Sequence, residues 1–298
     1  MRGRSVVGSA ASDAWADEEQ SPRREGTPTA PSPSSGSERV ITHRRQRVVR
    51  SVNTVAACWT ALRVWVHLLH GLVQVVVLFP WLSKLRRSRR VQVWARTMLT
   101  RLGVELTVVG TPASIGPMLL VSNHISWLDI LMLHAACHCR FVSKADVKRW
   151  PLIGVMATGG GTLFVERESR RDAMRVVQRM AQALRNGDIL AVFPEGTTGD
   201  GHAVLPFHAN LIQAAISAGA PVQAVALQIV DGHSGTPSQA VSYMGDDSLL
   251  RSIWRTLCAR ELCAVAAFGP PRSAEGRDRR AWAQDLHREI TAMRQAAS

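Results

Sequence analysis

Apolar and polar positions change period several times along the chain, and each change marks an element. Residues 1–40 carry no apolar period. They are rich in Ser, Pro, Gly and charge, with the run Thr27-Pro-Thr-Ala-Pro-Ser-Pro-Ser-Ser-Gly36 among them, and are expected to form a disordered tail. Val52–Leu82 is an almost continuous apolar run, and Arg89–Arg101 follows as an amphipathic helix around Val91, Val93, Trp94, Met98 and Leu99. Short apolar runs then alternate with segments of helical period. Strands are expected at Val104–Val109, Met118–Val121, Arg140–Lys144, just after Gly159-Gly-Gly161, and at Asp188–Phe193, Val222–Val230, Ala240–Met244 and Leu262–Phe268. Helices are expected at Ile130–Cys139, at Asp172–Arg185 with Asn186-Gly187 as its C-cap, at Pro206–Ala218, and from Arg279 to about Arg294. Strands alternating with helices imply an α/β fold, a single central sheet flanked by helices. The expected organisation is a tail over 1–40, a basic-flanked hydrophobic anchor over 41–90 and one domain over 91–298, with no internal repeat.

The Val52–Leu82 run exceeds the about 20 apolar residues that a spanning helix needs. Arg63, His67 and His70 interrupt it at spacings that fall on one helical stripe, which suits a helix lying in one leaflet, or a tilted span whose stripe meets another helix. Both flanks are basic: Arg39, Arg44, Arg45, Arg47 and Arg50 before it, Lys84, Arg86, Arg87, Arg89 and Arg90 after it. A single crossing normally shows a one-sided excess of Lys and Arg. Equal flanks favour a hairpin or surface-embedded anchor with both ends on one side, each basic residue gaining about 1 kcal/mol from anionic headgroups. The rival reading is a buried helix of a soluble protein.

Composition adds a partner and a compartment. The 298 residues are 46% hydrophobic, ample for a core, and carry a formal net charge of +13. Such charge seeks an anion, and its clustering around the apolar run points to membrane lipids and not to nucleic acid. The five cysteines fall at no framework spacing and are read as reduced thiols. His134, Cys137, His138 and Cys139 lie on an apolar helix and are read as core packing, so no metal is expected.

The candidate chemistry sits where strands end. Met118-Leu-Leu-Val-Ser-Asn-His124-Ile-Ser-Trp-Leu-Asp129 runs from a strand through a polar turn into a helix, placing an imidazole where it can act as a base and a carboxylate where it can hold the ring. Arg167 ends another strand, and Glu195-Gly196-Thr197 a third. Ligands of open α/β sheets bind outside the carboxyl ends of strands. With no obvious nucleophilic Ser or Cys, the base is expected to activate a hydroxyl of the substrate. Arginine beside exposed Gly-Thr amides suggests a phosphate or another anionic head group.

The segment His124-Ile-Ser-Trp-Leu-Asp129 resembles the His-x4-Asp block of the glycerolipid and lysophospholipid acyltransferases, the 1-acylglycerol-3-phosphate O-acyltransferase family. Gly161-Thr-Leu-Phe-Val-Glu-Arg167, Phe193-Pro-Glu-Gly-Thr197 and Ala220-Pro-Val-Gln-Ala224-Val225 resemble its second, third and fourth blocks, in order, across about residues 90 to 270. The resemblance implies transfer of a fatty acyl chain from acyl-CoA or acyl-carrier protein to a lysolipid hydroxyl, with no metal, no other cofactor and no covalent acyl-enzyme. His124 matches the general base and Asp129 its orienting partner. Arg167 and Glu195-Gly196-Thr197 match phosphate-binding positions, with Gly161 in the second block and Lys144 as a further electropositive candidate. An ionised Glu195 cannot itself bind phosphate, so it is expected to fix Arg167 or the loop. Ala224 stands where the family usually carries a second proline, which bears on pocket shape.

The expected acceptor is 1-acylglycerol 3-phosphate, giving phosphatidic acid in phospholipid biosynthesis. The alternative acceptor is another lysolipid such as lyso-ornithine lipid. A lipid or thioester hydrolase and a non-catalytic lipid-binding protein are the other classes. Because thioester donors are cytosolic, the expected location is the bacterial inner membrane with the catalytic domain on the cytoplasmic side.

Overall fold

The computed structural model describes residues 54–165, 170–243, 247–259 and 261–296. The tail over 1–40 and the first basic flank therefore lie outside the described residues, as does Arg167.

Seven strands form one sheet: β1 (Val104–Val109), β2 (Met118–Ser122), β3 (Arg140–Lys144), β4 (Leu163–Val165), β5 (Ile189–Val192), β6 (Val222–Asp231) and β7 (Leu262–Phe268). Their spatial order is β1-β7-β6-β2-β5-β3-β4. From β6 to β4 all neighbours are parallel, whereas β7 pairs antiparallel with β6 and parallel with β1. The strands from β6 to β4 thus share one carboxyl-terminal rim. In β2 every residue is buried, as a strand covered on both faces requires. The period of two divides it: Met118 and Leu120 join the core on one face, Leu119 and Val121 the core on the other.

Helices supply both covers. On the first face lie α2 (Lys84–Arg101) with Ala95, Met98 and Leu99, and α3 (Leu128–Ala136) with Leu128, Met132 and Leu133. On the second lie α5 (Arg170–Arg185), α6 (Gln213–Ala218) and α8 (Arg279–Ala296), contributing Met180 and Leu184, Ala214 and Ala215, and Trp282, Leu286 and Ile290. The C-cap expected at Asn186-Gly187 is present: Gly187 adopts φ +79°, and its N–H bonds to Leu184 O at 2.8 Å.

The apolar run is a helix, α1 (Thr54–Val73), continued by a π turn and a short 3-10 turn to Trp81. Val55–Trp81 is long and apolar enough to cross a membrane. Its inner side packs on α2. His67 and Trp94 stack with ring centroids 5.4 Å apart, Trp94 Nε1 donates to His67 O at 3.1 Å, and His67 Nε2 lies 3.0 Å from Trp94 O. Gly71 permits that approach, because a Cβ there would stand 2.4 Å from Trp94 Nε1. Of the stripe Arg63, His67 and His70, only His67 is buried. The outer side presents Trp59, Leu62, Trp65, Val66, Leu69, Val73, Val76 and Val77 to the surroundings.

Two expectations need correction. Ala240–Tyr243 forms no strand, and Met244 lies outside the described residues. Carbonyls there are taken by side chains instead of a neighbouring strand: Val241 O by Ser126 Oγ at 2.7 Å, Ser242 O by Arg255, Tyr243 O by Thr198. The helix expected from Pro206 begins later, with a 3-10 turn at Ala209–Leu211 before α6. His208 is extended instead, donating its N–H to Pro194 O at 2.8 Å. Two helices have no counterpart in the sequence reading: α4 (Ile153–Gly159), just after Pro151, and α7 (Leu249–Cys258).

Candidate active site

At the carboxyl end of β2 the chain leaves the sheet through Asn123, whose amide pairs with β6. Asn123 Nδ2 donates to Leu227 O at 3.0 Å, and Leu227 N donates to Asn123 Oδ1 at 2.7 Å. The side chain thereby stands in for one more rung of ladder, and His124 emerges at a fixed point. Asp129, in the first turn of α3, is fully buried. Its Oδ2 accepts from Ile125 N at 2.6 Å and Ser126 N at 2.9 Å, and lies 2.7 Å from His124 Nδ1. Helix amides also favour an anion at that position. A carboxylate can only accept, so His124 donates through Nδ1 and keeps its lone pair on Nε2. Phe193 covers one face of the ring, with centroids 4.0 Å apart and planes 11° apart, and the His124 side chain remains 19% exposed.

The end of β5 supplies the facing turn. Gly196 closes Phe193-Pro-Glu-Gly by donating its N–H to Phe193 O at 3.1 Å, and adopts φ +73°, where glycine is favoured. Gly196 and Thr197 are exposed beside the histidine loop. Glu195 is buried: its Oε1 accepts from His124 N at 2.9 Å and its Oε2 from Leu205 N at 3.2 Å. Of its two expected roles, the structure shows the one on the loop. Burial pushes its pKa up to about 6, against the lowering effect of those two N–H donors. Gly199 N completes the joint by donating to His124 O at 2.8 Å.

The candidate residues therefore separate in space. His124, Asp129, Glu195, Gly196 and Thr197 come together, and Lys144 stands exposed at the end of β3 on the same rim. Gly161 precedes β4 at the opposite edge of the sheet, where its carbonyl accepts from Arg140 Nε at 2.7 Å. His134, Cys137 and Cys139 are buried in the first core. The His134 ring packs edge-on to Phe141, and burial pushes its pKa down to about 3. No group of three or more candidate metal ligands occurs among the described residues.

Contributors that sequence reasoning missed are Asn123, Ser126, Thr198 and Arg294. Asn123 and Ser126 carried one signal, polar side chains flanking the histidine between two apolar runs. Arg294, on α8, is buried and bonds to Gly201 O near this loop.

Comparison with known proteins agrees with this geometry. The model of the Acyltransferase family matches residues 105–228, which include both the histidine loop and the Glu195 turn. A lyso-ornithine lipid O-acyltransferase of Pseudomonas aeruginosa is 36% identical over 204 residues, covering 68% of this chain and 78% of that protein. A 1-acyl-sn-glycerol-3-phosphate acyltransferase of Neisseria meningitidis serogroup B is 36% identical over 210 residues, covering 70% of this chain and 81% of that protein. The crystal structure of the 1-acyl-sn-glycerophosphate (LPA) acyltransferase of Thermotoga maritima shares the fold, with TM-score 0.63 over 82% of this chain and 95% of that one at 16% identity. With an imidazole held by a buried carboxylate at the sheet rim and a sequence this similar to both kinds of relative, the chain belongs to the glycerolipid and lysophospholipid acyltransferase family and is an acyltransferase.

Proposed function

We propose that the protein acylates the free hydroxyl of 1-acylglycerol 3-phosphate, with acyl-CoA or acyl-carrier protein as donor. His124 Nε2 takes the hydroxyl proton, and the alkoxide oxygen attacks the thioester carbonyl. Collapse of the tetrahedral intermediate expels the thiolate, to which the imidazolium returns the proton. Asp129 holds the ring and balances its transient charge. The observation that carries the acceptor is the exposed Gly196-Thr197 turn beside His124, with Lys144 farther along the rim: an open turn with a hydroxyl, and an ammonium within the same rim, suit a phosphate monoester. Arg167, two residues past β4, is the proposed guanidinium of that pocket.

A second reading takes lyso-ornithine lipid as acceptor. The Pseudomonas aeruginosa protein of that name, as similar to this chain as the Neisseria protein, favours it. Purified protein supplied with each lysolipid and with each thioester donor separates the two: phosphatidic acid is the expected product, acylation of lyso-ornithine lipid alone would select the second reading, and free fatty acid released equally without any acceptor would mean a hydrolase.

The proposed location is the cytoplasmic face of the bacterial inner membrane. The outward apolar side of α1 and the exposed basic start of α2 support it. Replacing Trp59, Leu62 and Val66 by Ser leaves the packed side of α1 intact and is expected to move the protein from the membrane to the soluble fraction. Unchanged sedimentation with membranes would refute the anchor.

A further inference from the structure

The carboxyl-terminal helix reaches the active site from the far side of the sheet. Arg294 is buried, and its guanidinium bonds to Gly201 O. His287, two turns earlier on the same side of α8, stands with Nε2 3.1 Å from Val204 O. Both atoms gripped by the helix belong to the segment 199–205, whose ends join the two sides of the site: Gly199 N bonds to His124 O on the histidine loop, and Leu205 N to Glu195 Oε2 on the facing turn. Burial disfavours the charged form of Arg294, and the carboxylates of Glu195, Asp200 and Asp129 favour it. Two of these carboxylates are buried, Asp129 wholly and Glu195 nearly so. Two anions set into one poorly solvated region repel each other and lose hydration, and a buried cation offsets both effects.

We propose that Arg294 is a positioning residue for acyl transfer: it clamps segment 199–205 onto the histidine loop and supplies the buried positive charge that balances Asp129 and Glu195. The role rests on the reading of His124 as the base. Arg294 acts through Gly201 and through the field at the two carboxylates.

The titratable and charged groups around this centre are His124 and Asp129 on the histidine loop, Glu195 and Asp200 on the facing segment, His202 beside Asp200, His208 packed over Gly196, and His287 on α8. Removing a cation from among them favours the protonated form of each. Arg294→Met is therefore expected to lower kcat/KM about tenfold at neutral pH and to move the acid limb of its pH profile upward by about one unit. Arg294→Lys keeps the charge and is expected to hold the limb at its wild-type position. The Glu195 carboxyl, followed by carbon NMR in the same proteins, should titrate at higher pH in Arg294→Met and near the wild-type midpoint in Arg294→Lys, which tests the electrostatic role without any turnover. A uniform loss of rate at every pH in both variants, with an unmoved Glu195 midpoint, would reduce Arg294 to a packing residue. An inactive wild-type protein would instead count against the proposed acyl transfer and leave the NMR result to decide on Arg294.

Discussion

The two edges of the sheet hold a buried carboxylate each, and the partners differ. At the carboxyl rim Asp129 is met by two backbone N–H groups and an imidazole. At the amino edge Asp188, just before β5, is met by the ammonium of Lys84 and the guanidinium of Arg140. Burial alone would raise the pKa of Asp188, but the hydrogen bonds and charges of Lys84 and Arg140 outweigh it and hold the carboxyl below its usual range. One carboxylate has its charge already matched, and it ties α2 to the sheet. The other leaves a lone-pair nitrogen beside an exposed turn, with charge still to be matched when the ring takes a proton. Backbone amides and an imidazole suit a carboxylate to the proposed proton transfer, and two cations suit one to a tether.

The strongest way to break this contrast is to remove each partner and ask whether rate or stability falls. His124→Ala is expected to lower kcat by about 10²–10⁴, the usual worth of general acid–base catalysis, an effect on rate far larger than its effect on the thermal midpoint. Asp188→Asn should do the reverse. It leaves Lys84 and Arg140 without their shared anion and should lower stability by about 1–2 kcal/mol, less than a fully buried pair because Lys84 is 74% exposed. That loss should vanish toward low pH: a carboxyl whose folded pKa is depressed stabilises above its unfolded pKa and stops doing so as pH falls through the folded one. Turnover and denaturation measured on the same two variants decide. A rate loss in Asp188→Asn as large as in His124→Ala would erase the distinction between the edges.

The same contrast explains what the sequence disclosed. Leu262–Phe268 was legible to the residue because a strand buried over most of its length reads as an apolar run, and the edge strand Val104–Val109 because its weak alternation stops at Gly110. The histidine loop was legible because strand, polar turn and helix follow one another directly. Long-range polar contacts left no such pattern. Ala240–Tyr243 falls within an expected strand, yet its carbonyls bond to the side chains of Ser126, Arg255 and Thr198, which come from three other segments. Gly161 lies within the second block and still belongs to the amino edge, because it precedes β4 and a strand has two ends. Helix α7 sets Leu249, Ile253 and Leu257 at helical spacing, but its inner face also holds Ser252 and Thr256 while Leu250 and Trp254 lie exposed, which blurs the stripe in the sequence. Arg294 read only as the end of a terminal helix, because tertiary packing alone shows which way it turns.

The smallest expected effect concerns Glu195, which stands between the two kinds of carboxylate. It accepts from backbone N–H groups, as Asp129 does, but burial pushes its pKa up to about 6 from an ordinary 4.5. Its ionisation therefore lowers stability as pH rises from about 4.5 to about 6, the opposite sign to Asp188. Once protonated, one of its oxygens turns donor and faces either His124 N or Leu205 N, so one of the two bonds is lost and the histidine loop loosens. The wild-type rate should accordingly decline as pH falls through about 6. Glu195→Gln fixes the loosened state, since an amide offers one acceptor oxygen and an NH2 group where two acceptors are needed. We expect a several-fold lower kcat/KM at neutral pH and no further component near pH 6, read from pH profiles of the two proteins. A Glu195→Gln variant that kept both the full rate and the same acid component would show that Glu195 does not hold the base in place, and that Asp129 alone distinguishes the catalytic edge from the tethering one.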